Sequence, residues 1–275
     1  MLEKQTLIIE AGRTERHYWA DLWRYRELFL FLAWRDILVR YKQAALGIAW
    51  AVLRPAITIA IFTVVFGYLA RLPSANAPYP VLVFAALLPW QLFASGLSDA
   101  GNSLVSNANM ISKVYFPRLM VPLGAVTVSL VDFAISCALL AVVMVWYSFY
   151  PDWHIVFLPL FILLALAAAL GAGLWSAALV VKYRDFRFII PFAVQVGLYL
   201  SPVGFSSSVV PEQWRLIYSL NPMVGVIDGF RWCLLGGQPP IYWPGFALSV
   251  GLVIVVLLSG LAYFRATEKT FSDVI

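Results

Sequence analysis

Six runs of apolar residues, each about as long as a bilayer's hydrocarbon core is thick, set the limits on what this chain can fold into. They cover roughly Leu46 to Ala70, Tyr79 to Ser98, Leu119 to Tyr147, Ile155 to Val181, Phe188 to Phe205 and Pro244 to Phe264. A helix needs about 20 mostly apolar residues to cross about 30 Å of hydrocarbon. Structures that span that medium must satisfy their backbone polar groups internally, so the expectation is an all-α integral membrane protein with six transmembrane helices. Composition agrees. Of 275 residues, 62% are hydrophobic and 12% charged, against about 45–50% and 25% in ordinary soluble domains. The third and fourth runs are longer than a crossing needs and predict tilt or projection beyond the bilayer.

Orientation follows from lysine and arginine, which accumulate on cytoplasmic loops. With the N-terminus inside, the inner segments hold Lys4, Arg13, Arg16, Arg24, Arg26, Arg35, Arg40, Lys42, Lys113, Arg118, Lys182, Arg184, Arg187, Arg265 and Lys269, fifteen of the nineteen Lys and Arg. Arg71, Arg215 and Arg231 fall outside, and Arg54 within the first run. Both termini are therefore expected in the cytoplasm. This bias accounts for the net charge of +5, and nucleic-acid binding is not expected. Trp146, Tyr147, Tyr150 and Trp153 flank one outer turn and Tyr242 and Trp243 open the last run, as amphipathic rings at the headgroup level do. The N-terminal sequence MLEKQTLIIEAGRTERHYWADLWRYRE is charged and lacks the apolar core of a cleaved signal peptide. The expected organisation is an N-terminal arm and interface helix over residues 1–45, then one membrane domain over 46–275.

Three segments are not spans and need another reading. The stretch LWRYRELFLFLAWRDILVRYKQ, Leu22 to Gln43, has no Pro or Gly and too many charges to cross. As a helix at about 100° per residue, it places Trp23, Leu30, Trp34, Ile37 and Tyr41 in one stripe and Tyr25, Leu28, Leu32 and Val39 in another. That pattern predicts a helix lying along the cytoplasmic interface, with lipid on one side and protein on the other; Asp36 and Arg40 are spaced for an i,i+4 pair. The inner turn NANMISKVYFPRLMVP, Asn107 to Pro122, carries more than a connection requires. Ser106 or Asn107 can cap a short helix through Asn109, Met110, Ile111 and Lys113. Met110, Ile111, Val114 and Tyr115 would give it an exposed apolar face, a docking surface for a partner. After the fifth run, Pro211 can begin one short helix, and Asn221 can cap a second with Pro222 in its first turn and Gly236 past its end. The second is too short to cross and reads as one of two re-entrant helices. Glu212 with Arg215, and Asp228 with Arg231, are spaced to pair within them.

The chemistry-bearing residues exclude several functions. No G-x-x-x-x-G-K-[ST] is present, so no nucleotide is expected to bind through a P-loop. Cys137 and Cys233 suggest neither a disulfide framework nor a metal site, His17 and His154 have no companion ligands in sequence, and no carboxylates have metal spacing. No catalytic residue and no metal ligand is assigned. The intramembrane polar residues are Arg54, Asp99 and Asp132; such groups are costly in lipid and so are functional candidates. Arg54 and Asp99, toward the inner ends of adjacent runs, suggest an ion pair, while Asp132 has no partner legible in sequence.

Several motifs, in order, resemble one family: YRELFLFLAWRDILVRYKQAALGIAWAVLRP, LLPWQLFASGLSDAGNSLVSNANMISKVYFPRLMVP, KYRDFRFIIPF, LSPVGFSSSVVPEQW, LNPMVGVIDGFRW and TFSDVI. Together the chain resembles the membrane (permease) subunit of type-2 ABC exporters for polysaccharides, the export systems for O-antigen, capsule and teichoic acid. The resemblance implies a homodimer in the inner membrane, with two ATPase subunits beneath that hold ATP and Mg, and a lipid-linked polysaccharide as cargo. It implies no cofactor on this chain and no enzymatic activity of its own. It identifies a coupling helix at about 104–115 and an interface helix, whose ATPase-docking residues are Trp34, Arg40, Asn107, Asn109, Met110, Ile111, Lys113 and Tyr115. It likewise identifies outer gate helices at about 209–236, with Glu212, Trp214, Arg215, Asn221, Asp228, Arg231 and Trp232. An exporter of a small hydrophobic drug or lipid would share these features and stands as the alternative. A membrane enzyme or an ion-driven secondary transporter would need acid/base or relay groups that the sequence does not supply.

Overall fold

The computed structural model describes residues 18–42, 47–73, 77–114, 116–268 and 271; all regular structure among them is helical. Helix α1 spans Tyr18–Arg24 and α2 Arg26–Lys42. Helix α3 covers Gly47–Phe62 and runs on as a π-helical segment, Thr63–Leu69. Helix α4 is Tyr79–Ser106, α5 is the single turn Ala108–Ile111, and α6 is Met120–Trp146. A 3₁₀ segment, Trp153–Phe157, leads into α7, Leu158–Lys182. Then follow α8, Phe186–Leu200, α9, Glu212–Tyr218, α10, Pro222–Leu234, and α11, Trp243–Thr267.

Five helical segments are long and apolar enough to cross a membrane: Ala49–Leu69, Tyr79–Ser106, Met120–Trp146, Trp153–Lys182 and Trp243–Thr267. The fifth expected run behaves differently. Helix α8 has 15 residues, roughly 22 Å at about 1.5 Å each. It stops because Pro202 drives the residue before it out of the helical region; Ser201 is extended, with φ −96° and ψ 152°. The chain then turns inward, and Ser201 to Gly204 are buried. The second run, in contrast, continues well past Ser98, to Ser106.

Helix α4 is the axis of the assembly. Of its most apolar stretch 72% is buried within the chain, against 17–33% for the other four long segments. It packs on α6, α7 and α10, and α7 in turn packs on α11. Apolar burial cannot drive this packing inside lipid, so close approach of backbones has to. Gly171 of α7 shows how close. A Cβ there would lie 2.6 Å from Leu257 Cα and 2.7 Å from Leu257 N on α11. Because the obstruction is backbone, it cannot swing aside. Helices α3 and α8 sit at the margin, with Trp50, Leu53, Ile57 and Ile61 of α3 and Phe188, Phe192, Tyr199 and Leu200 of α8 exposed.

Gly171→Leu is expected to part α7 from α11 and to destabilise the protein by at least the roughly 1–3 kcal/mol typical of overpacking. Gly251→Ala, where an added Cβ meets nothing within 4 Å, serves as the control and is expected to be neutral or slightly stabilising. Thermal unfolding in detergent measures both; equal melting temperatures for the two variants would show that the α7–α11 contact is not tight.

Candidate functional site

The two ends of the helical body carry the candidate functional residues. At the end where α1, α2 and the end of α11 meet, a cluster buries Tyr18, Leu32, Leu104, Ile111, Phe116, Leu119, Leu174, Phe264 and Phe271. Helix α2 lies against this cluster through Leu28 and Leu32, with Tyr25 of the turn before it. Its opposite side shows Leu30, Phe31 and Trp34 exposed, Trp34 at 61%, and Trp23 of α1 is exposed as well. The two-sided character expected from sequence is present, except that Val39 faces out with the exposed set and Tyr41, expected with Trp34, turns to the body and bonds Asp132.

Charge fixes where α2 sits. Arg40 donates from Nη2 to Asp99 Oδ2 on α4 and from Nη1 to Asp132 Oδ2 on α6, each at 2.7 Å. Tyr41 donates its hydroxyl proton to Asp132 Oδ1, and Ser129 donates to Asp99 Oδ2 at 3.3 Å. One guanidinium fork thus ties three helices through charge-assisted hydrogen bonds. A turn earlier, Arg35 donates to Asp36 Oδ1 at 2.7 and 2.9 Å and to Asn107 Oδ1 at 2.6 Å. Asn107 also donates from Nδ2 to the Ser103 carbonyl at 2.9 Å. The turn after α4 is therefore hydrogen-bonded directly to α2.

These contacts correct three sequence expectations. The partner of Asp99 is Arg40, not Arg54; Arg54 lies exposed on α3. Arg40 does not pair with Asp36, because its side chain points to the body, where two carboxylates await it, and Asp36 pairs with Arg35 instead. The Asn107 side chain does not cap the following helix, being committed to Arg35 and Ser103. The apolar face expected to look outward from the turn is also divided. Ile111 is 6% exposed and Met110 packs on the cluster, whereas Asn109, Lys113 and Val114 are exposed. An apolar side chain so near the cluster gains more from closing over it than from waiting for a partner. Tyr115 lies outside the described residues, as does His17. Arg35 was not singled out from sequence, and Tyr41 was placed only in the stripe with Trp34; its bond to Asp132 corrects that placement, since helix periodicity alone does not report a partner on another helix.

At the opposite end α9 and α10 lie near the 3₁₀ segment and the start of α11. Asn221 caps α10 as expected, its Oδ1 accepting from Met223 N at 3.0 Å, and its Nδ2 donates to Ser201 Oγ at 2.9 Å. Gly236 and Gly237 end the helix with φ of +67° and +82°. Arg231 corrects the expected pair with Asp228. It is fully buried, and its guanidinium donates to the carbonyls of Phe205 at 2.7 Å, Val203 at 3.0 Å and Leu82 at 3.3 Å. The turn after α8 exposes carbonyls that no helix satisfies, the Leu82 carbonyl near the start of α4 offers a second lone pair, and a guanidinium with five donors serves all three at once. Glu212 and Arg215 approach only to 3.9 Å, with Glu212 91% exposed, a contact of small worth. Trp214 is exposed; Trp232 packs against His154 and Phe157.

Among the described residues no group of three or more His, Cys, Asp or Glu could hold a metal ion, and both cysteines are free. Packed apolar helices with charge confined largely to their ends define a polytopic membrane protein. Residues 27–235 match the family model described as ABC-2 type transporter, and the chain belongs to that family. It is 26% identical over 255 residues to the O-antigen export system permease protein RfbA of Myxococcus xanthus, covering 92% of this chain and 97% of that protein. It is 25% identical over 250 residues to RfbA of Klebsiella pneumoniae, covering 90% and 95%. It is also 23% identical over 243 residues to the polysialic acid transport protein KpsM of Escherichia coli, covering 87% and 92%.

Arg40→Gln is expected to leave two neighbouring carboxylates without their cation. Full burial would make this cost about 3–5 kcal/mol; with Arg40 34% exposed, about 1–3 kcal/mol is expected after solvent screening. Adding Asp99→Asn and Asp132→Asn to Arg40→Gln should recover most of the loss. Thermal unfolding of the purified single and triple variants checks this, and a single variant as stable as the parent would show the bridge to be inert.

Proposed function

We propose that this chain is the transmembrane subunit of an ATP-driven exporter that carries a lipid-linked polysaccharide, O-antigen-like in kind, across the cytoplasmic membrane of a bacterium. The observation that carries this reading is the end-to-end correspondence with permeases named for O-antigen export. The relatives named for polysialic acid transport extend it to a second glycan, which favours a saccharide cargo over a small hydrophobic drug.

The working unit is a homodimer with two copies of a separate ATPase, which hold ATP and Mg. Helix α8 acts as the sixth span; its 15 residues reach across with the buried turn that follows, and α9 and α10 form a re-entrant pair on the outer side. Both termini lie in the cytoplasm, in keeping with the lysine and arginine distribution. The exposed apolar flanks of α3 and α8 are the surfaces available to the second copy and to the path between the two.

The ATPase meets the end built from α2 and the Asn107 turn. Asn109, Lys113 and Val114 supply the exposed part of the contact from the turn, and Trp34 an exposed ring from α2. Because Ile111 and Phe116 are buried in the body and Asn107 is bonded to Arg35, movement imposed there is not absorbed by a loose loop. ATP binding draws the ATPase subunits together, and the turn passes that displacement to α4 and α6. The cargo biases the cycle only insofar as the two states of the path bind it differently.

Deleting the chain is expected to abolish the surface polysaccharide, with return on complementation. Lys113→Glu and Val114→Asp, both at exposed positions, should reduce co-purification of the ATPase at least tenfold while leaving the melting temperature unchanged. If both variants assemble and export as the parent does, the docking assignment is wrong; if deletion leaves the surface polysaccharide intact, the cargo assignment is wrong.

A further inference from the structure

At the end carrying α9 and α10, a half-open cavity of about 220 Å³ lies between these two helices and the leg into α11. Its wall brings together Asp228, Tyr218, Ser207 and Arg215 with the rings of Tyr242 and Phe246. Asp228 Oδ1 and Tyr218 Oη are shut off from solvent, and neither has a hydrogen-bond partner in the described chain. Such unpaired buried groups are costly, so the cavity is built for polar contents. A cavity of roughly 150 Å³ holds one benzene, so this volume is on the scale of one sugar ring.

The lining narrows the choice of contents. An anion would meet the Asp228 carboxyl. The Arg215 guanidinium is already engaged, Nε donating to the Val210 carbonyl at 2.9 Å and Nη2 to that of Ser208 at 3.1 Å. A lipid tail would leave the Tyr218 hydroxyl and Asp228 Oδ1 unpaired. Two aromatic rings beside hydrogen-bonding groups offer an apolar surface and a polar one together.

We propose that this cavity binds a single uncharged sugar unit, its hydroxyls paired with Asp228 and Tyr218 and its C–H face against Tyr242 and Phe246. The site stands on its own geometry. That the sugar is the leading unit of the exported chain, and not a free sugar outside the cell, rests on the export reading above.

Saturation-transfer NMR on the full chain in lipid nanodiscs tests the site, using glucose, mannose, N-acetylglucosamine and short oligosaccharides cut from the host's own surface polysaccharide. The parent protein should give sugar signals that fall at least tenfold in Tyr218→Phe and in Asp228→Ala. Tyr218→Phe removes a hydroxyl without a partner and should not lower the melting temperature, which separates lost binding from lost fold. Binding of oligosaccharides at least as tight as that of monosaccharides assigns the site to the exported chain; binding of monosaccharides alone assigns it to free sugar. No signal from the parent, or a signal that survives both substitutions, overturns the proposal and leaves the cavity to water. Surface polysaccharide is scored in the same variants, and normal export by a variant that has lost sugar binding refutes the leading-unit assignment while leaving both the sugar site and the export reading intact.

Discussion

Close contact between helix backbones is the interaction on which the rest of this structure depends. Inside a bilayer, apolar side chains gain nothing by leaving lipid for protein, so helices associate through dispersion contacts and the few polar bonds they can share. Here the contact surface is made of the smallest residues. An added Cβ on Gly173 of α7 would lie 2.6 Å from Ala100 Cβ on α4, and one on Gly96 of α4 would lie 3.0 Å from Ala169 Cβ on α7. With Gly171 against Leu257, these positions join α4, α7 and α11 into a body that larger side chains would force apart. Helices α3 and α8 have less of this contact and correspondingly keep broad apolar flanks exposed.

Charge then acts where the apolar body ends. At one end the guanidinium of Arg40 gathers carboxylates from α4 and α6. At the other, Arg231 gathers carbonyls from the start of α4 and from the turn after α8. The two arginines meet different needs. Arg40 neutralises acidic side chains on two long helices and so binds a third, shorter helix across them. Arg231 satisfies backbone acceptors that a broken helix leaves bare, which is why a fully buried cation needs no carboxylate bonded to it. Swapping either for lysine would keep the charge and lose the fork.

Much of this was legible in the sequence, and the failures have physical causes. The apolar runs located four of the five long helices within a few residues and missed the polar extension of α4 past Ser98; the Asn221–Pro222 start and Gly236 stop of α10 were readable because capping is local chemistry. The length of α8 was overestimated because hydropathy continues through Val203 and Phe205, while Pro202 has already ended the helix. Asp132 seemed to lack a partner because its partners, Arg40 and Tyr41, lie about ninety residues away in sequence. Only packing of α2 onto α6 brings them together. The same limit explains Asp228 and Arg231, whose spacing suggests a local pair. Three carbonyls from two other parts of the chain outcompete that pair, and no spacing rule reports them.

The consequence for mechanism lies in α4. Its 28 residues span roughly 42 Å at about 1.5 Å each, and it is clamped near both ends. Asp99 and the Asn107 turn tie one end to α2, while the Leu82 carbonyl ties the other to α10 through Arg231. Between these clamps the helix is buried on nearly all sides, so a push at the Asn107 turn has little freedom to dissipate as bending. Packed interiors shift between discrete arrangements instead of deforming continuously. On the export reading proposed above, a displacement delivered at one end of α4 reaches the helices at the other end as rigid-body motion, and the same two clamps set how much of it arrives.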